Sequence, residues 1–358
     1  MLMLSRWRHI GRMLLVALLV MSCTSCARWR EAKGVIAEAD SLLVHKIVTR
    51  DTAALNFAIN TLDGPLGYVF AKQDLAKAYY FMGRNFYYLN DFSTAADYYI
   101  LCDRLNPKDP LYKGRVNSCM GYLCKQDSCF EEALVFYERA NEAFEKSGDE
   151  KRIANGLVSI AEQYVNLGKY NKADSVLLLA SNYDVDSVYY ARMVDVRALA
   201  LFNQQLYDSA LVCLLRIKDT PRPIEARCHS YMKIMHCYEF LHQLDNTIIY
   251  AEYIVSNSKN PAYRSNAYFY LMTNAKWHND INSLSIYSHA REDEDRKLQH
   301  DTELCAQAII KLQTYLEATN YTKLIISIVA ALFVVLSTGI WLVYKCYRGV
   351  LQKHAKEK

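Results

Sequence analysis

The chain has 358 residues, with 42 Lys and Arg against 38 Asp and Glu and a formal net charge of +4. Hydrophobic residues make up 52% and charged residues 22%, which excludes a disordered polyelectrolyte, and the length excludes one compact core. Much of the cationic excess sits at the two ends, where it marks membrane topology and not a nucleic-acid surface.

The chain opens with Arg6, Arg8 and Arg12, then the apolar run Met13 to Met21, then small residues and a cysteine. That order is a secretory signal over 1–22. Val20, Met21, Ser22 and Cys23 resemble the lipobox of bacterial lipoproteins, which implies acylation of the Cys23 thiol and cleavage before it. An uncleaved signal anchor and ordinary cleavage nearby remain open. Over 23–75 a linker and a degenerate helical pair, from Arg30 to about Leu62, are expected.

Self-similarity begins at residue 76. The segment Ala76 to Asp109, AKAYYFMGRNFYYLNDFSTAADYYILCDRLNPKD, resembles the tetratricopeptide repeat (TPR) at nearly every signature position. Tyr79 is the bulky fourth residue, Met82 and Gly83 stand for the Leu-Gly pair, and Phe86 is the first helix's aromatic. Phe92 opens the second helix, followed by Ala95, Tyr99, Cys102 and the closing Pro107. Small Gly83 and Ala95 let two helices approach, large Tyr79, Phe86 and Tyr99 fill grooves between hairpins, and the Pro107 ring stops a helix.

With Ala95 as a ruler, the matching position falls at Ala133, Ala173, Ala210, Thr247 and Leu284, in steps of 38, 40, 37, 37 and 37. An aromatic or apolar residue stands three places before each: Phe92, Phe130, Tyr170, Tyr207, Leu244 and Ile281. About six hairpins therefore fill 76–295, with the last two degenerate, and 296–323 reads as a capping or juxtamembrane helix. Pro65, Pro107, Pro110, Pro221, Pro223 and Pro261 are all expected between helices, and apolar-polar alternation is never sustained as strands require. The fold class is all-α; the resemblance implies a TPR-like solenoid wound as a right-handed superhelix.

The resemblance also implies that the second, fifth, ninth and twelfth positions of each first helix line a concave face. In the first two units these include Lys77, Tyr80, Arg84, Tyr87, Arg115, Tyr122 and Lys125, a basic and aromatic groove suited to an extended acidic or aromatic protein segment. The third and fourth units place Asn155, Val158, Glu162 and Val165, then Arg192, Asp195, Leu199 and Phe202 there, a more apolar and mixed surface. Relatives that grip a free carboxylate carry Lys at the fifth position; Tyr80 stands there, so that activity does not carry over.

Eleven cysteines do not impose a disulfide framework in a chain long enough for a core, and Cys102 and Cys124 fall at core-facing positions, though one disulfide near Cys119, Cys124 and Cys129 remains open. In the fifth unit, Cys228, His229, His236, Cys237 and His242 cluster in sequence. His229 and His236 share a helix face, yet seven residues is about 10.5 Å of rise, too far for one zinc ion. No glycine-rich phosphate loop, nucleophile elbow or His-Glu-x-x-His pair occurs, so no catalytic residue and no cofactor is expected.

Leu324 to Tyr344 is an uncharged run of 21 residues, enough helix to span a hydrocarbon core of about 30 Å. Trp341 and Tyr344 suit the interface, and the 345–358 tail carries Lys345, Arg348, Lys353, Lys356 and Lys358 against Glu357, so it is cytoplasmic. The expectation is one transmembrane helix at the inner membrane with the repeats in the periplasm. The function class is a non-enzymatic scaffold or adaptor for a protein or peptide partner, of open oligomeric state, with no nucleic-acid partner. The alternative is a sensory receptor signalling through the membrane to a separate cytoplasmic protein, since too few residues follow Tyr344 for an output domain.

Overall fold

A computed structural model describes residues 26–42, 51–63, 71–183 and 186–356, with side chains as far as residue 330 apart from that of residue 301. The signal over 1–22 and Cys23 lie outside the described residues, as do the side chains of 331–358. Helices α1 (26–42) and α2 (Thr52–Leu62) lead into a series of hairpins. Their first helices are α3 (Lys72–Tyr88), α5 (Pro110–Gln126), α7 (Glu150–Asn166), α9 (Ser187–Asn203), α11 (Ile224–Phe240) and α13 (Pro261–Trp277). Their second helices are α4 (Phe92–Arg104), α6 (Phe130–Ser147), α8 (Tyr170–Ala180), α10 (Tyr207–Ile217), α12 (Ile248–Asn257) and α14 (Ile281–Lys356). No strand occurs among the described residues.

Helix starts are set locally. Asp91, Asp149 and Asp186 each accept a hydrogen bond from a backbone N–H in the following first turn, as Asp109 does from Leu111. Two prolines differ from the expectation that all lie between helices. Pro110 and Pro261 open α5 and α13, because the first helical position has no intrahelical use for an N–H and suits proline's fixed φ. Phe92, Phe130, Tyr170, Tyr207 and Ile281 are each the first residue of a second helix. Leu244 opens a 3₁₀ turn, Leu244–Thr247, in place of the first turn of α12.

Between first and second helix the chain needs one left-handed residue. It is supplied at Asn90, Ser128, Gly168, Gln205, His242 and Asn279, with φ between 57° and 69°. These positions are spaced by the same steps as the small-residue ruler. Gly168 meets the requirement freely and asparagine tolerates it, whereas Gln205 holds a conformation costing roughly 1–2 kcal/mol for a residue with a Cβ.

Inside the first two hairpins, close approach depends on a missing side chain. A Cβ on Gly83 would stand 2.6 Å from the Tyr99 ring, and one on Gly114 would stand 2.4 Å from Phe144. Ala95, Ala133, Ala173 and Ala210 are 0–1% exposed. The core is a series of small clusters shared by neighbouring hairpins, such as Ala161, Leu177, Tyr189 and Val196, and then Ala210, Leu214, Ile234 and Cys237. Cys102 and Cys124 belong to the buried core.

Two compact units divide the chain, 1–309 and 310–358. Within the first, Cys305 on α14 is buried with its Sγ 4.0 Å from the Leu123 carbonyl oxygen on α5, a contact across 182 residues. Helix α14 runs unbroken from Ile281 to Lys356 and so includes Leu324 to Tyr344. Among the described residues no helix is long and apolar enough to cross a membrane; the side chains of 331–344, two thirds of the expected span, are outside them.

Two substitutions of opposite sign test this account. Gly83→Ala should lose about 1–2 kcal/mol, overpacking against Tyr99 outweighing the helix-propensity gain. Gln205→Gly, in an exposed turn, should gain up to about 1 kcal/mol; thermal melts followed by circular dichroism distinguish the two.

Candidate functional site

The first helices stack one against the next, and polar side chains one repeat apart meet across the stack. Lys77 Nζ is 2.7 Å from Asp40 Oδ2 on α1, and Lys125 Nζ is 2.7 Å from Glu162 Oε1. Arg192 donates to the Asn155 carbonyl at 3.1 Å and to Ser159 Oγ at 2.7 Å. Ser230 donates to Asp195 at 2.8 Å, and Asp195 also receives Arg222 at 3.0 Å. Tyr263 and His229 Nδ1 lie 3.2 Å apart, and Arg264 Nε meets Glu294 at 2.9 Å. The Lys77–Asp40, Lys125–Glu162 and Arg192–Asn155 contacts each span 37 residues, close to the repeat steps of 37 to 40, so the ladder follows the sequence period.

The seven expected groove residues occupy this surface in different ways. Lys77 is held by Asp40 and stacks 4.7 Å over the Tyr112 ring. Tyr80 is 2% exposed, edge-on to Tyr112 at 5.4 Å, and its hydroxyl accepts from Arg84 at 3.3 Å. Arg84 also donates to the Tyr88 hydroxyl at 2.9 Å, so both of its partners are neutral. Tyr87 meets exposed Tyr122 edge-on at 5.7 Å. Arg115 stacks 5.1 Å over Tyr112, and Lys125 is committed to Glu162.

Two cavities lie along the face. One, about 500 Å³, is lined by Tyr80, Arg115, Asp149, Lys151, Arg152 and Arg192 among others, so four cations face a single carboxylate. The other, about 510 Å³, continues past Lys125, Glu162, Asp195, Arg222, His229 and Lys233; Lys151, Asn155 and Arg192 border both. In this second stretch neighbouring cations set the titration of the buried acid and imidazole. Burial alone would raise the Glu162 carboxyl, but Lys125, Arg192 and Lys233 outweigh it and bring the group down to about 2. Lys233, and then burial, lower His229 to about 3, so it is neutral at physiological pH. Burial, and then Arg115, also lower the Arg152 guanidinium.

The basic surface thus extends beyond the first two units. Val158 and Val165, placed on the face by the family's positional pattern, are fully buried, because α7 turns them into the core beside Ala161. Lys151 and Arg152, in the first turn of α7, add two cations to the wall of the first cavity. They fall outside the repeat's contact positions, and their signal in the sequence is only a pair of cations after the Asp149 cap. Among the described residues no three His, Cys, Asp or Glu side chains gather as a metal site would require. His229 faces Tyr263, while His236 lies against the rings of Phe202 and Tyr270.

No family model matches the sequence, and no curated protein does. Among solved structures the chain is similar to a tetratricopeptide repeat protein from Parabacteroides merdae, at 14% identity over 78% of this chain and 99% of that one, with a TM-score of 0.50. It is also similar to the apo form of the quorum sensor NprR from B. thuringiensis, at 13% identity over 78% and 86% of the two chains, TM-score 0.51. A Rap protein complexed with Competence and Sporulation Factor matches at 13% identity over 84% and 96%, TM-score 0.50. The chain has a TPR-like helical-repeat fold.

Acid should weaken the ladder in two windows. His229 has its lowered pKa only when folded, so its stabilising contribution is full above 6.5 and is lost as pH falls towards about 3. Glu162 contributes fully above 4.5 and loses that contribution as pH falls towards about 2. In thermal melts against pH, His229→Gln should flatten the upper window and Glu162→Gln the lower one.

Proposed function

We propose that this protein is a non-enzymatic adaptor whose concave face holds an extended, acidic segment of another protein. The observation that carries this reading is the run of guanidinium groups at Arg84, Arg115 and Arg192 along one face. Each is engaged by tyrosine rings or neutral acceptors. Charged hydrogen bonds to carboxylates are stronger than those neutral contacts, so an acidic segment gains on entering. Tyr87, Tyr88 and Tyr122 add apolar contact beside the cations. One similar fold was solved complexed with Competence and Sporulation Factor and another is a quorum sensor, which fits a repeat array that works by binding.

The address we propose is a bacterial inner membrane, with the repeats in the periplasm. It rests on the sequence: the signal over 1–22, Cys23 as a lipid attachment point, the uncharged run Leu324 to Tyr344 and the basic tail after it. A second reading, a receptor acting on a separate cytoplasmic protein, draws support from the helix Ile281–Lys356, whose range takes in both the last hairpin and the uncharged run.

Cross-linking of the membrane-embedded full chain should capture a partner that the double reversal Arg84→Glu with Arg115→Glu loses by at least about tenfold, roughly 1.4 kcal/mol. Equal capture by both forms would move the interface off this face. In intact spheroplasts, added protease should destroy the repeats and spare a tag placed after Lys358; loss of the tag would reverse the topology.

A further inference from the structure

The cavity between α5, α7 and α9 has a charge balance that its neighbours on the face lack. Arg115 comes from α5, Lys151 and Arg152 from the start of α7, and Arg192 from α9, with Asp149 as the single carboxylate. That carboxylate is already in use. Its Oδ1 caps α7 by accepting from the Arg152 backbone N–H at 3.1 Å, and its Oδ2 lies 2.9 Å from Arg152 Nε. The buried Nε is not aligned to hydrogen-bond it. Arg192 is anchored on Asn155 and Ser159, which carry no charge. Lys151 is drawn aside to Asp186 at 2.6 Å, in a pair that is half exposed. Arg115 stacks on Tyr112, and the carboxylate that feels its charge, Asp40 on α1, is not part of this cavity's wall.

Three guanidinium groups from three successive repeats therefore line one space whose wall carries a single carboxylate, Asp149. A fork of planar N–H donors on three sides matches an acceptor bearing two negative charges better than a single carboxylate, which one arginine could satisfy. Ser118, also at the wall, supplies a hydroxyl for a remaining acceptor position. By contrast, the adjoining stretch has Glu162 and Asp195 set against Lys125, Arg222 and Lys233, and its charges are largely paired internally.

The geometry points to a dianion subsite: Arg115, Arg152 and Arg192 receive a doubly charged group on the bound segment, either a phosphorylated side chain or an adjacent pair of Asp or Glu. This rests on the reading of the concave face as a segment-binding groove and names the chemistry of its anchor. Arg115 sets the preference, since it can be removed without breaking an ion pair.

The test uses the full chain in detergent micelles and fluorescein-labelled glycine-serine peptides of equal length. Their centres carry a phosphoserine, an Asp-Glu pair or an Asn-Gln pair, and binding is read by fluorescence anisotropy. At least one dianionic peptide should bind at least about tenfold tighter than the Asn-Gln peptide, with the preference shrinking as salt rises from about 0.1 M to about 1 M. Whichever dianionic peptide binds identifies the source. Arg115→Ala and Arg152→Ala, each shown folded by its melting curve, should abolish the preference. Equal binding of all three peptides, or a preference that survives Arg115→Ala, overturns the subsite. Overturning it while Arg84→Glu with Arg115→Glu still loses the cross-linked partner leaves the adaptor reading standing and removes only the anchor.

Discussion

The fold depends on how closely two helices of a hairpin can approach, and that distance is set by atoms that are absent. Where Gly83 faces Tyr99 and Gly121 faces Tyr137, an aromatic ring occupies the volume a side chain would otherwise fill. The large residue is thereby buried without pushing the helices apart, and Tyr99 is among the largest fully buried side chains. Dispersion and burial reward the contact, but only at that separation. The alanines of the later second helices do the same work less completely, because a methyl group still occupies some space. The stacking of first helices, and with it the face they form, inherits its spacing from these contacts.

Once the first helices are held side by side, the charges on them cannot be arranged independently. A residue on one helix meets one on the neighbouring helix 37 positions away, so the face is written as pairs: Lys77 with Asp40, Lys125 with Glu162, Arg192 with Asn155. Pairs with an acid are neutralised within the fold, while pairs with a neutral acceptor leave a positioned positive charge. Asn155 and Ser159 orient Arg192 but do not cancel it. The field on the face is therefore decided by which rungs use amides and hydroxyls in place of carboxylates. That is a substitution of a few atoms at positions already fixed by packing.

Much of the scaffold was legible in the residue order because it is periodic. The small position at Ala95, Ala133, Ala173 and Ala210 and the aromatic three residues before it mark where second helices begin, and Tyr170 and Tyr207 are first residues of helices. Turn chemistry was less legible. Gly168 announces a left-handed residue, whereas Gln205 and His242 occupy the same place through tertiary constraint and carry no local signal. The face was legible only in part. In α7 the consensus positions Asn155 and Glu162 line the cavities while Val158 and Val165 are buried, and Lys151 and Arg152 join the face from outside the pattern. Near Thr247 the helical period falters into a 3₁₀ turn, which the irregular side chains of that unit anticipate only as degeneracy.

The packing of Cys305 beside the Leu123 carbonyl bears on how the chain folds and comes apart. A repeat array whose units touch only their neighbours behaves as a one-dimensional chain, able to fray from either end while the middle persists. A contact between residues 182 positions apart gives that chain a non-local closure. Its formation must await the ordering of what lies between, which raises the contact order and slows the final step. Once made, it couples the segment of α14 around Cys305 to the second hairpin, so fraying there is opposed by structure 182 residues earlier. Unfolding should then be more cooperative than the repeat count alone would suggest.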